Sequence, residues 1–464
     1  MKKFIGNKEF YRLVLTLALP LLLQNAITTF VNLLDNLMVG RIGTESMSGV
    51  AIVNQILFVY NLCLFGGTGG AGIFGAQFFG RGDHKGVRYS LRFNIVLCAF
   101  FSLIAIMLFL SADERLISAF LHDSNSQGDL ALTLAEGRKY LRVMIIGLPA
   151  FAMSTAYVSI LRVTGDNNLP MRASVAAILV NLFGNWVLIY GNLGAPRLGV
   201  VGAAVATVIS RYVEFGLILL GTHAKKKRPE FLRGLYKGFG IPSDLMGNIA
   251  KRGAPLLCNE FLWSLSMTTL NLCYSFRGLD AVAALNINST VFNFFNTVLF
   301  TMGNVVGIVL GNLLGAEEFD KARSYCPKLT ALSCFACAIM GGLMFLTAPL
   351  TPRLYNTTPE IMHLAASLIR VCACMLPFHA IMNASYWTLR AGGRTYLTML
   401  FDSIFCWVVP IPVAWCLMHL TNMPLLPAYI IANAAEGTKA ILGIILVRRG
   451  IWVQNVIGKT PVEA

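Results

Sequence analysis

Twelve stretches of this chain are apolar over lengths that a water-soluble core does not use. They run at 13–39, 47–79, 93–111, 138–161, 171–191, 199–221, 253–276, 282–313, 329–349, 361–389, 396–418 and 425–447. A helix that crosses a bilayer needs about 20 predominantly apolar residues, and it must satisfy its own backbone because hydrocarbon offers no hydrogen bonds. Twelve such stretches, parted by short polar gaps, define an all-α polytopic membrane protein with twelve transmembrane helices. Several exceed a perpendicular crossing, which predicts tilt or extension beyond the bilayer. Only 13% of the 464 residues are charged, about half the share of a soluble domain. The basic MKKF start is followed by an apolar run too long for a secretory leader and without a small-residue cleavage site, so no cleaved signal is expected.

The net charge of +15 is distributed by gap. Lys2, Lys3, Lys8 and Arg12 stand at the amino end. Arg81, Lys85, Arg88 and Arg92 follow the second stretch, HAKKKRPEFLRGLYKGFG (223–240) follows the sixth, and Lys321, Arg323 and Lys328 follow the eighth. Arg448 and Arg449 close the last stretch. The odd gaps carry fewer: Arg41, Arg115 and Arg197. Lys and Arg are retained on the cytoplasmic side, so the even gaps and both termini are expected there, in a cytoplasmic (inner or plasma) membrane. Basic residues scattered among gaps form no single stripe, and no nucleic-acid partner is expected. The eleven cysteines lie along apolar stretches. Cys334 and Cys337 form a CxxC inside LTALSCFACAIMGG, where thiolates are disfavoured and packing is the simpler reading.

The two halves look like copies. Pro20 in LALPLLLQN matches Pro255 in RGAPLLCNE, and 255 − 20 = 235. The same offset carries Gly43 onto Gly278, Gly80 onto Gly315 and Arg88 onto Arg323. Leu161-Arg162-Val163-Thr164-Gly165 matches Leu389-Arg390-Ala391-Gly392-Gly393 at an offset of 228. This predicts an amino lobe at 1–222 (helices 1–6), a basic cytoplasmic linker at 223–250, and a carboxy lobe at 251–464 (helices 7–12). An even number of spans in each half relates the lobes by an axis along the membrane normal, as in transporters that alternate access between two parallel repeats.

Polar residues recur at helical spacing inside the apolar stretches. Asn25, Thr28, Asn32 and Asp35 share one face of the first; Glu260, Ser264, Thr268 and Asn271 one face of the seventh; Asn286, Ser289, Asn293 and Asn296 one face of the eighth. Amides and hydroxyls there can act as helix–helix glue at about 0.6 kcal/mol each. Glue does not need a carboxylate, so Asp35 and Glu260 are the functional candidates. A buried carboxyl can carry a proton or, with neutral oxygens completing a shell, hold Na+. Asn181 and Asn185 lie one turn apart in VNLFGNWVLIYG and supply such oxygens, and Thr207 in GAAVATVISR is a further candidate. His379 in CMLPFHAIMN is read either as a proton relay or as a packed neutral imidazole. Asp402 is expected near the cytoplasmic surface. Glu436 and Lys439, three apart, are expected to pair.

The motif ALPLLLQN…LLDNLMVGRIG, the two LRxxG segments, the Asn181/Asn185 pair and the six-plus-six repeat together resemble the multidrug and toxic compound extrusion (MATE) transporters, over nearly the whole chain. The resemblance implies a V-shaped fold of twelve helices. It also implies a secondary antiporter that exports organic cations and other drugs in exchange for Na+ or H+. It places Asp35, Asn181 and Asn185 in an amino-lobe cation or proton site, with Thr207 beside them, and Glu260 at the seventh-helix acid of one subgroup. That subgroup's tenth-helix acid falls on His379, a departure that leaves the coupling ion open.

The expectation is therefore a cation-coupled exporter with ion- or proton-coupling residues Asp35, Asn181, Asn185, Thr207 and Glu260. Its substrate cavity takes in Asn25, Asn32, Ser264, Asn286, Asn293 and His379. No cofactor is expected beyond the coupling Na+ or H+. The partners are lipophilic cationic small molecules and the lipid bilayer, and the chain acts as a monomer. A flippase for lipid-linked precursors or polysaccharides is the rival, disfavoured because the deep charges are mainly acidic. An enzyme is not expected: the sequence has no metal-ligand cluster, nucleophile elbow or phosphate loop.

Overall fold

The computed structural model describes residues 4–120, 129–224, 229–238, 240–355 and 357–458. The side chains of Asn32, Leu33, Asn36, Leu37 and Thr44 lie outside the described residues, and with them the cavity role expected of Asn32. The described chain is helical and has no strand. Its long helices are α1 (Lys8–Gly40), α2 (Thr44–Arg81), α3 (His84–Ser118), α4 (Leu130–Val163), α5 (Asn168–Tyr190), α6 (Val200–His223), α7 (Ser243–Ser275), α8 (Leu279–Gly315), α9 (Phe319–Thr347), α10 (Pro359–Ala391), α11 (Thr395–Leu420) and α12 (Leu425–Arg448). Eleven are long and apolar enough to cross a membrane. The other is α7, equally long at 33 residues but more polar, carrying Lys251, Arg252, Asn259 and Glu260. Each helix runs past its expected apolar stretch at one end or both: α2, for example, runs from Thr44 to Arg81 rather than 47–79.

The repeat is visible in how the helices end. After Arg162 and Arg390 the chain turns the same way twice. Gly165 N–H donates to the Arg162 carbonyl (3.0 Å) and Gly393 N–H to the Arg390 carbonyl (2.8 Å). Both glycines have positive φ, +84° and +69°, which side chains with a Cβ rarely adopt. Pro149 inside α4 matches Pro377 inside α10 at the same 228. The helix α11 departs from its counterpart α5: Leu400–Ile404 is a π-helical stretch and Pro410 interrupts the helix again. A π stretch inserts one residue, so beyond it the offset becomes 229.

Two compact units form. Unit 1 comprises Met1–Leu22, Ala76–Asp83 and Asn248–Ala464; unit 2 comprises Leu23–Gly75 and His84–Gly247. The packed units cut across α1, just past Pro20, and across the end of α2, which a division of the sequence at 222 and 251 does not. Each has its own apolar core. Unit 1 buries Ala284, Leu368, Ile369, Leu376, Ala414 and Ala428 among others. Unit 2 buries Val53, Leu64, Leu141, Ala152, Ala156 and Ala204. Cys337 is fully buried in the unit 1 core, and the Cys334 thiol donates to the Pro377 carbonyl (3.7 Å).

Inside unit 1 the end of α2 crosses α8 at backbone contact. A Cβ on Gly80 would overlap the Asn312 carbonyl, and one on Gly315 would overlap that of Gln77. These glycines are repeat partners, so one close crossing uses both copies. Gly315→Ala should destabilise by about 1–3 kcal/mol through overpacking, read as a fall in thermal midpoint in detergent; an unchanged midpoint would show that the crossing can open.

The basic connector docks on unit 2. Arg92, 5% exposed, donates to the carbonyls of Leu235 (2.8 Å), Gly234 (2.8 Å), Gly240 (3.0 Å) and Lys237 (3.1 Å). Arg88 donates to those of Phe231 and Glu230. Arg92→Gln removes charged hydrogen bonds contributing about 1.5–3 kcal/mol each, so tryptic cleavage within 229–240 should accelerate at least about tenfold.

The tail beyond α12 folds onto unit 1. Trp452 is 2% exposed, Gln454 donates to the Gly392 carbonyl (2.5 Å), and Val456 N–H donates to the Gln77 side chain (2.7 Å). The Gln77 amide in turn donates to the Ala391 carbonyl (3.1 Å).

Candidate functional site

In unit 2, three helices bring one carboxylate and three neutral polar groups together. Gly184 of α5 packs against Ala206 of α6 with no room for a larger side chain, so the two helices run close. Asn181 on α5 therefore reaches α6, where its amide donates to Thr207 Oγ1 (3.1 Å). One turn further along, the Asn185 amide donates to Asp35 Oδ1 (2.8 Å) and contacts Asn181 Oδ1 (3.3 Å). Tyr190 fixes the register of α1 against α5 by donating to the Met38 carbonyl (3.1 Å). Asn181 and Asn185 are 6% and 2% exposed, and Asp35 is partly buried. The Asn185 Oδ1 atom is buried and accepts no hydrogen bond. A buried acceptor without a donor is costly, at about 1–3 kcal/mol. Here it lies beside a carboxylate in a set of oxygens of the kind hard cations take.

The other half shows that the fold does not need this cluster. Asp35 maps onto Leu270 at 235. Asn181 and Asn185 map onto Val409-Pro410 and Val413-Ala414 at 228 or 229. Thr207 maps onto Ala432 at 225, the offset between the starts of α6 and α12 (425 − 200). Leu270, Ala414 and Ala432 all belong to the apolar core of unit 1.

Unit 1 has a different polar interior. Glu260, 9% exposed, stands within electrostatic reach of Arg390 and Asp402 and within hydrogen-bonding reach of Tyr386. Arg390 donates to the Tyr386 hydroxyl (3.0 Å) and lies over the Trp387 ring (4.6 Å). Lys439, only 6% exposed at its side chain, does not take Glu436 as its partner. It pairs with Asp402 at 2.5 Å, because α11 faces α12 across the interior while Glu436 is one turn away on the same helix. Asp402 also accepts from Asn259 (3.1 Å), whose Oδ1 accepts from Ser403 (2.7 Å). Asp402 is thus an ion-pair residue within the helix bundle. Among the expected cavity residues, Asn25 and Ser264 are partly buried and Asn286 and Asn293 are exposed on their helices; the His379 ring is packed edge-on to Phe292 (5.9 Å).

Residues 20–187 and 255–416 match the MatE family model, one segment in each half. The chain belongs to the MatE family. It is 26% identical over 452 residues to the probable multidrug resistance protein NorM of Thermotoga maritima, covering 97% of this chain and 94% of the relative. It is 23% identical over 439 residues to the probable multidrug resistance protein YoeA of Bacillus subtilis, covering 91% and 90%. The structure described as the outward-facing conformation of a multidrug resistance MATE family transporter of the MOP superfamily superposes with a TM-score of 0.84 at 20% identity, covering 97% of both chains. A MATE structure in a straight conformation gives 0.85 at 20% identity with the same coverage. The fold is that of MATE transporters.

This MatE chain also holds a polar knot that helix spacing alone does not disclose. Gln24 donates to Ser174 (2.7 Å), Ser174 donates to Glu214 (2.6 Å), and Arg162 of the first LRxxG donates to Gln24 Oε1 (3.3 Å). Gln24 and Asn259 each lie four residues past the repeat prolines, so the 235 offset was the available signal for it. The two halves invert its charge. Arg211 and Glu214 of α6 (3.6 Å apart) occupy the positions of Glu436 and Lys439 in α12.

Proposed function

We propose that this transporter is a cation-coupled antiporter that exports lipophilic organic cations, with Asp35, Asn185, Asn181 and Thr207 as its coupling site. The observation that carries the reading is a carboxylate beside a buried, unpartnered Asn185 oxygen, in a cluster whose repeat counterparts are apolar. Na+ among these oxygens, or a proton on Asp35, would supply the positive partner that Asn185 Oδ1 lacks. A ligand moves a conformational equilibrium only through its differential affinity for the two states. Ion binding at Asp35 must therefore favour the arrangement from which substrate has left. Two six-helix lobes, 1–222 and 251–464, alternate access between them. Glu260 and the polar positions at Asn25, Asn32, Ser264, Asn286 and Asn293 give the substrate path a character suited to cations. The basic gaps orient both termini to the cytoplasm of a bacterial-type plasma membrane. The chain works as a monomer.

The test is movement of a fluorescent lipophilic cation in proteoliposomes under an imposed Na+ gradient, then an imposed H+ gradient. Transport with one gradient and not the other supports antiport and names the ion. Transport with neither overturns the reading.

A further inference from the structure

The interior of unit 1 contains an acid and a base that the coupling site does not use. Three carboxylates lie there: Glu260, Asp402 and Glu436. Two fixed cations accompany them. Arg390 is within electrostatic reach of Glu260, and Lys439 is bonded to Asp402. Glu436 is left over. It is partly buried, and no described side chain gives it a hydrogen bond. Around it stand Tyr274 of α7, Cys372 and His379 of α10, Cys406 of α11 and Lys439 of α12, all within electrostatic reach. From α8 comes Phe292, against the His379 ring, and from α9 Cys334, engaged with Pro377. His379 is the other open group: its Nε2 is buried without a hydrogen-bond partner.

The repeat supports the juxtaposition independently. In unit 2 the guanidinium of Arg211 lies over the ring of Phe151, 4.4 Å from its centroid. Phe151 maps onto His379 (151 + 228) and Arg211 onto Glu436 (211 + 225). A cation on an aromatic ring in one copy has become a carboxylate within electrostatic reach of an imidazole in the other. The pairing also balances charge. With His379 neutral, Glu436 is a carboxylate with no counter-ion of its own. With His379 protonated, the interior holds three acids against three cations. A buried unbalanced charge is costly, so the two protonation states differ in free energy by an amount that repacking of α10 against α12 can change.

We propose that His379 and Glu436 form a second protonation site, within unit 1, that binds and releases one proton in the transport cycle. The proton is taken from water onto the imidazole, and the resulting N–H donates to the Glu436 carboxylate. Only the involvement in transport rests on the coupled-transport reading above; the site itself does not.

The experiment uses the full-length protein in detergent, labelled with 15N at its six histidines. His379→Phe, which installs the residue of the other copy, assigns the His379 signal. That signal should titrate with pH, the imidazolium form growing in as the pH falls. Glu436→Gln should lower its midpoint by about one unit or more, because removing a neighbouring anion makes the imidazolium harder to form. A signal that does not titrate, or the same midpoint in Glu436→Gln, overturns the site. Thermal midpoints of both variants check that they fold. In proteoliposomes, both variants should lose the wild-type pH profile of dye transport; an unchanged profile in both overturns the role in transport and leaves the Asp35 reading standing. If wild type moves no dye under either gradient, the Asp35 reading fails, and the titration still decides the pair.

Discussion

Asp35→Asn should abolish gradient-driven transport while leaving the fold intact. Asparagine has the same shape, and its carbonyl can still accept from the Asn185 amide that now donates at 2.8 Å. What disappears is the charge. A charged interaction of this type contributes about 1.5–3 kcal/mol, and each 1.4 kcal/mol is tenfold, so ion affinity should fall roughly tenfold to a hundredfold for each lost contact. The measurement is paired. Dye transport under the gradient that drives wild type should fall to background. Dye binding to the detergent-solubilised protein without ion should persist. Loss of both would mean that Asp35 holds the structure or the substrate; wild-type transport would make it a hydrogen-bonding residue only. Asp35→Leu, which copies Leu270, is the harsher control. It leaves the Asn185 amide only its contact with Asn181 Oδ1, and it should cost stability that Asp35→Asn does not.

The second large effect is expected at the buried ion pair. Asp402→Ala leaves the Lys439 ammonium, 6% exposed at its side chain, without its partner at 2.5 Å. Removing one member of a buried pair costs about 3–5 kcal/mol, whereas replacing both by apolar groups of similar volume is often neutral or better. The double variant Asp402→Leu/Lys439→Met should therefore recover most of what Asp402→Ala loses in thermal midpoint. Equal losses in the two would show that the carboxylate matters through Asn259 rather than through charge. The comparison is Lys139, 58% exposed at its side chain and paired with Glu136. Lys139→Ala should change stability by no more than about 1 kcal/mol, since exposed pairs contribute little.

The sequence disclosed what depends on one helix at a time. Asp35 stood out because a carboxylate in an apolar stretch is rare, and Asn181 and Asn185 because a four-residue step puts two amides on one face. The structure brings those three and Thr207 together. It was less informative where helices choose partners across space. Glu436 and Lys439 have the right spacing for a pair, yet Lys439 takes Asp402 from α11. The link from Gln24 through Ser174 to Glu214 joins three helices and has no periodicity of its own. The π stretch at Leu400–Ile404 is equally silent in composition, although it shifts every later position of α11 by one residue against its counterpart.

The make-up of unit 1 bears on how the chain is made. Its pieces are the first residues of the chain, a short segment at Ala76–Asp83 and everything from Asn248 on, and Gln77 is bonded to Val456, 379 residues away. During synthesis every residue of unit 2 leaves the ribosome before α7 is complete. Domains generally fold as they emerge, and distant contacts form late. Unit 2 can therefore finish packing while the polypeptide is still growing. Unit 1 must hold the start of α1 and the end of α2 in waiting until Gln454 and Val456 are released. A ribosome that stops before Gln454 would thus deliver a chain with one finished unit and one that cannot close.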